Sequence, residues 1–205
     1  MQKRDSVFIN CPLDAKYSDL FRAIVYTVMD CGMQPRCALE IEDAGQIRIQ
    51  KIYKIIAECR FGVHDISRTS LDPHTRLPRF NMPFELGLFL GAKQYGTRQQ
   101  REKNSLILDK KPFRYQKFIS DIAGQDIQVH LNDPQRVVRI VRDWIQTGTR
   151  GNQTLPLPSG TSMWHRYKAF KDDLPELCRT LKLHVRELTY ADFAWLAENW
   201  IERHP

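Results

Sequence analysis

The chain has 205 residues, 42% of them hydrophobic and 27% charged, with a formal net charge of +7. That length can bury one full core with a modest appendage, and no run of residues reaches the apolar length of a membrane span. The positive charge points to an anionic partner, and phosphate-bearing small molecules satisfy it as well as nucleic acid does.

The N-terminal MQKRDSVFIN leads straight into a strand rather than into a signal peptide, so the expected location is cytoplasmic. Residues 6–11 (SVFINC) form a short apolar run stopped by Pro12, as a buried first strand does. Residues 17–30 place Leu20, Phe21, Ile24, Val25 and Val28 at helical spacing, and Gly32 closes that helix. Residues 35–39 read as a second strand, followed by the acidic loop EIEDAGQ. Ile47, Ile49, Ile52, Ile55 and Ile56 mark a second helix running to about Cys59, and residues 61–66 (FGVHDI) a third strand ending at Asp65.

A polar insertion at residues 67–79 precedes FNMPFELGLFLGAK, residues 80–93. This stretch reads as a helix opening near Met82, with Asn81 as its N-cap and Pro83 in its first turn. It is apolar almost all round, which predicts burial against a sheet, and Gly87 and Gly91 share one face on which a neighbouring backbone could approach. Glu85 is its only ionisable residue between Asn81 and Ala92.

A basic loop, TRQQREKN, leads to a fourth strand at residues 105–108, a helix at 113–122 and a fifth strand at 126–131. Asn132, Asp133 and Pro134 then start a helix over residues 135–145. Strands alternating with helices predict a flavodoxin-like doubly wound parallel α/β sheet of about five strands. The Gly, Pro and Ser content of residues 149–162 reads as a linker between an α/β domain at 1–148 and a helical extension at 163–205. Phe193, Leu196, Ala197 and Trp200 form an apolar stripe on the second helix of that extension, for packing on the core or for assembly. The five cysteines are odd in number, lack CxxC spacing and sit in apolar patterns, so they read as reduced core thiols.

In a doubly wound sheet, ligands bind outside the carboxyl ends of the strands. Asn10 and Cys11 end the first strand, Glu42 and Asp43 follow the second, His64 and Asp65 end the third, and Glu85 opens the helix after it. Each is also a plain turn former or helix-dipole acid on its own. Glu85, however, is out of register for a capping box, since the residue three after Asn81 is Phe84. Burial among Phe84, Leu86 and Leu88 would raise its pKa and make it useful in catalysis. There is no GxGxxG after the first strand, no phosphate loop, no GxSxG elbow and no metal-ligand spacing among the six histidines.

The acidic loop, the Ile52, Ile55, Ile56, Cys59 pattern, the strand ending HDIS and then FNMPFELGLFLGAK resemble bacterial TIR-like proteins and, more distantly, nucleoside 2-deoxyribosyltransferases. The resemblance covers residues 5–145. In those families a helix of the N-x-x-x-E-L-G type supplies the glutamate that attacks or stabilises the ribosyl C1′; Glu85 matches it, and Asp65 resembles the acid ending the preceding strand. The resemblance implies cleavage of an N-glycosidic bond, NAD⁺ being the substrate rather than a cofactor, with no metal required. Glu85 and Asp65 would be catalytic, and Asn10, Asp43, His64, Arg76, Arg79 and Asn81 would bind substrate. It also implies a homo-oligomer or a defence partner protein, activity on assembly, and a role in prokaryotic antiviral defence.

The insertion departs from that pattern and carries Arg68, His74, Arg76 and Arg79, a candidate diphosphate clamp. The alternative to an enzyme is a nucleotide-binding or assembly module of the same fold. A nucleic-acid binder is disfavoured because the basic residues are scattered and lack an interleaved aromatic platform.

Overall fold

The computed structural model describes residues 5–40, 45, 47–69, 71, 76–150 and 155–205. Five strands, β1 (Ser6–Asn10), β2 (Gln34–Arg36), β3 (Phe61–Asp65), β4 (Asn104–Asp109) and β5 (Ile127–Val129), form one all-parallel sheet in the order β2-β1-β3-β4-β5. This is the expected flavodoxin-like, doubly wound arrangement. The chain leaves β1 toward β2 and returns past it to β3, so the switch point lies between β1 and β3.

Side-chain alternation along the strands divides the core into two layers. Val7, Ile9, Phe61, Val63, Leu106 and Leu108 face helices α1 (Ser18–Asp30) and α5 (Pro134–Gly148). Phe8 faces α2 (Arg48–Glu58) and α3 (Asn81–Tyr95) with Ile52, Ile55, Ile56 and Phe89. On that second side, Ile66, Leu86, Ile107 and Tyr115 form a further small cluster.

The larger core continues into the C-terminal helices. α6 (Gly160–Thr180) and α7 (Tyr190–Arg203) lie against α1 and α5, and their Met163, Tyr167, Phe170, Phe193 and Trp200 share one cluster with the sheet. Tyr26 of α1 stacks on Phe170 with ring centroids 5.3 Å apart, and Arg166 grips Asp30 at 2.9 Å. The Tyr190 hydroxyl donates to the Pro35 carbonyl at 2.8 Å, tying α7 to the edge strand β2. Ser159 caps α6, and Thr189 with Asp192 forms a capping box on α7. Asp133 caps α5 ahead of Pro134, as its sequence predicts.

Several local expectations change. The N-cap of α3 is Phe80 rather than Asn81, and no side chain closes it. α3 is not buried all round: Met82, Glu85, Leu86 and Phe89 face inward while Phe84 is 54% exposed. Residues 113–122, which pack against Leu86 and Leu90 of α3, are not an α-helix. Phe113 takes a left-handed φ of 54°, which no right-handed helix continues through, and two 3-10 turns follow, Arg114–Lys117 and Ser120–Ile122. No atom lies within 4 Å of a side chain built at Gly87 or Gly91, so neither serves a close approach. The basic loop after Gly96 contains a single helical turn, α4 (Arg98–Arg101). All five cysteines are free and buried. No helix among the described residues is long and apolar enough to cross a membrane.

Candidate active site

Asn10 of β1 and His64 of β3 are register partners at the switch point. Both side chains face the α2–α3 layer. The Asn10 side-chain amide donates to the Met82 carbonyl at 2.8 Å and lies 3.1 Å from His64 Nδ1. With that amide as donor, Nδ1 accepts and the ring proton sits on Nε2. His64 is fully buried between the Phe8 and Phe89 rings, and burial pushes its pKa down to about 3, so it stays neutral. Gly62 makes room for the ring: a Cβ there would stand 2.6 Å from His64 Nε2 and 2.8 Å from Phe89 Cζ.

Asn10 therefore pins the first turn of α3 to the end of β1, and Glu85 follows Met82 on the same helix face. Because the helix starts at Asn81, Glu85 lies beyond the first turn, where neither a cap nor free amides can use it. Its residue is 6% exposed, and it has no hydrogen bond or ion pair among the described residues. Burial pushes its pKa up to about 7, and Arg48 at the head of α2 pulls only weakly the other way.

Asp65 faces the opposite layer. It is fully buried, its Oδ2 accepts from the Tyr17 hydroxyl and its Oδ1 from the Ser67 N–H at 2.7 Å. His130 Nε2 stands 3.0 Å from the same Oδ2, and the Asn132 N–H donates to His130 Nδ1 at 2.9 Å. Burial pushes the Asp65 pKa up, but His130, Ser67 and Tyr17 together outweigh it and hold the group below its ordinary value. With these oxygens engaged, Asp65 holds three loops together. Cys11 feels both acids: burial raises its thiol pKa, and the charges of Asp65 and Glu85 both add to the rise.

The remaining predicted residues fall at the margin. Arg79 is on the surface and pairs with Asp14 at 3.3 Å; Asp14 also draws Arg68 at 3.7 Å. Arg76 is exposed with a φ of 58°, and Asn81 is exposed at the start of α3. Asp43 lies outside the described residues, as do Glu42 and His74. The structure thus gathers Asn10, His64 and Glu85, sets Asp65 behind them, and leaves the arginines outside.

Sequence reasoning missed Tyr17, Asp109 and His130. Asp109 is buried at the end of β4 and held by Arg114, whose guanidinium Nη2 stands 2.6 Å from Oδ1 and also donates to the Ile66 carbonyl. The rule that finds Asp65, a polar residue at a strand's carboxyl end, finds Asp109 and His130 when it is carried on to β4 and β5.

A groove of about 920 Å³ runs elsewhere, along β4, β5 and α5 past Gln125, Arg139 and Trp144. None of the predicted site residues lines it. Size alone carries no chemistry, so the candidate site is placed at the switch point with the unpaired acid. No group of His, Cys, Asp and Glu among the described residues could hold a metal ion. Comparison with family models, with curated proteins and with solved structures finds no match in any of the three.

Proposed function

We propose that the chain cleaves the N-glycosidic bond of a nucleotide, NAD⁺ before others, with Glu85 as the catalytic carboxylate. The observation that carries this reading is Glu85 itself, an almost buried acid with no hydrogen-bond or ion-pair partner among the described residues, at the switch point where doubly wound folds bind ligands. A structural acid so buried is ordinarily paired, as Asp65 is. An unpaired one has its charge available to a ligand.

In the reaction the C1′–N bond breaks with its electron pair leaving on the nicotinamide nitrogen. The ribosyl cation that develops is stabilised by the Glu85 carboxylate, or captured by it as a ribosyl ester. Water then adds to C1′ and loses a proton, giving nicotinamide and ADP-ribose. Asn10 and neutral His64 fix the helix that carries the acid. The exposed rings of Phe80 and Phe84 precede Glu85 in sequence and would give a departing base an aromatic surface. The resemblance to TIR-like proteins adds prokaryotic immune signalling as the setting, with assembly as the trigger.

The test is incubation of the protein with NAD⁺, NADP⁺ and deoxynucleosides over a wide range of protein concentration, with chromatography for free base. Nicotinamide release should rise with pH through about 7 as Glu85 ionises. Glu85→Gln should lower it by at least about a hundredfold. Base release at an unchanged rate in Glu85→Gln removes Glu85 from the mechanism. Saturable NAD⁺ binding without release at any concentration leaves a binding module.

A further inference from the structure

Three cations converge on the other side of the Asp65 network with little to neutralise them. Lys16 comes from the loop before α1, Arg68 from the segment after β3, and Lys110 directly follows β4. They line a cavity of about 350 Å³ whose wall includes Asn132 and Pro134 at the head of α5. The one acid among the described lining residues, Asp19, is drawn to Lys171 of α6 at 3.7 Å. The carboxylate nearest Arg68, that of Asp14, is shared with Arg79. Asp109, beside Lys110, has its Oδ1 taken by Arg114 and by the Lys110 backbone N–H. Lys110 itself has no ion pair among the described residues.

Like charges from three separate chain segments are brought to one concavity, an arrangement that costs energy until an anion arrives. The half-buried Lys110 ammonium registers it: burial, then Arg114, then Arg68 lower its pKa. The volume admits a phosphate or a diphosphate but not a whole dinucleotide.

We propose that this cavity is a phosphate site, in which Lys16, Arg68 and Lys110 together grip a phosphoryl or diphosphoryl group. The group has two candidate sources, the diphosphate of the nucleotide cleaved at Glu85 and a separate phosphorylated ligand. Only the first rests on the glycosidase reading. The cavity adjoins Tyr17, which feels the Arg68 charge and donates to Asp65.

Calorimetric titration of the full chain with inorganic pyrophosphate at fixed ionic strength tests the site directly. One saturable site is expected, weakened about ten- to a hundredfold in Lys110→Gln and in Arg68→Gln, each charge-assisted contact having that worth. Arg179→Gln removes an exposed charge paired with Glu176 and should leave binding unchanged, as should Glu85→Gln. Lys16→Gln, at an exposed residue of the cavity wall, should weaken binding as Lys110→Gln does. Absence of saturable binding, or equal weakening in Arg179→Gln, overturns the site. With NAD⁺ present, pyrophosphate that raises KM at constant kcat places the substrate diphosphate in the cavity, whereas an effect on kcat alone, or none, places a separate ligand there. If no base is released from NAD⁺, the glycosidase reading fails and the pyrophosphate titration still decides the cavity.

Discussion

Asp65 and Glu85 lie on opposite sides of the same sheet, one at the end of β3 and the other on α3, and have opposite fates. Asp65 faces the thick α1–α5 side and is buried completely, yet its pKa falls because Tyr17, Ser67 and His130 surround it. Glu85 faces the thin α2–α3 side, is slightly less buried, and its pKa rises because burial outweighs the pull of Arg48 and no described residue donates to it. Burial alone would raise both; the number of donors decides the direction. The comparison separates a carboxylate that holds a fold together from one kept free for a ligand.

The two faces also differ in what stabilises them, and truncation gives the largest test of that difference. The α1–α5 side is completed by α6 and α7, which bury Met163, Tyr167, Phe170, Leu174, Phe193, Leu196 and Trp200. At about 1.5–3 kcal/mol per large apolar side chain these seven contribute roughly 10–20 kcal/mol, as much as the whole stability of a typical domain, about 5–15 kcal/mol. Deletion from Gly160 onward should therefore abolish cooperative thermal unfolding by circular dichroism. A truncated chain that still melts cooperatively and stays monomeric in light scattering would show the extension to be an accessory, and the thick face to be no thicker than the thin one.

Asp65→Asn gives the next largest effect. An amide can accept from one of the Tyr17 and Ser67 donors but sets its own NH₂ against the other, so about 2–4 kcal/mol of stability should be lost. For a chain of this size that lowers Tm by roughly 5–15 °C. The sign with pH follows from the depressed folded pKa: the stabilisation is present above the unfolded carboxyl value of about 4 and is lost as pH falls below it. The deficit of Asp65→Asn relative to wild type should accordingly shrink on acidification in urea melts. A deficit independent of pH would mean that the charge of Asp65 is not what Tyr17 and His130 hold.

The alternation of strands and helices and the burial of Glu85 were legible because both rest on patterns local to the chain, although Glu85 sits beyond the first turn rather than at the helix opening. Apolar runs alternate with 3.6-residue periodicity, and FNMPFELGLFLGAK carries one charge in an apolar surround. The partners of Asp65 were not legible, because Tyr17 and His130 meet it only once β1, β3 and β5 are in register, 48 and 65 positions away in the chain. The helix expected over residues 113–122 failed on one left-handed residue, Phe113, whose side chain gives no sign of that backbone. The buried face of α3 was overestimated for the same kind of reason: composition tells that a helix is apolar, and only its neighbours tell which side is covered.

Glu85→Gln gives the smallest stability effect, and an opposite one. In the wild type, Glu85 must either ionise without a partner or hold a proton that its ordinary pKa would release. The rise from 4.5 to about 7 corresponds to at most about 3 kcal/mol, reduced by whatever solvent still reaches the carboxyl. A folded pKa raised above the unfolded one favours the native state only while the group is protonated. That contribution is complete below about pH 4 and is lost progressively as pH rises through about 7. Glutamine has the same shape and no proton to lose. The variant should then match wild type within experimental error near pH 4.5 and exceed it by about 1–3 kcal/mol at pH 8, a Tm gain of roughly 2–10 °C. Urea titrations of both proteins at the two pH values measure this without any knowledge of the substrate. A variant equal to or less stable than wild type at pH 8 would mean that Glu85 has a partner in solution, and the free carboxylate on which the proposed chemistry depends would be gone.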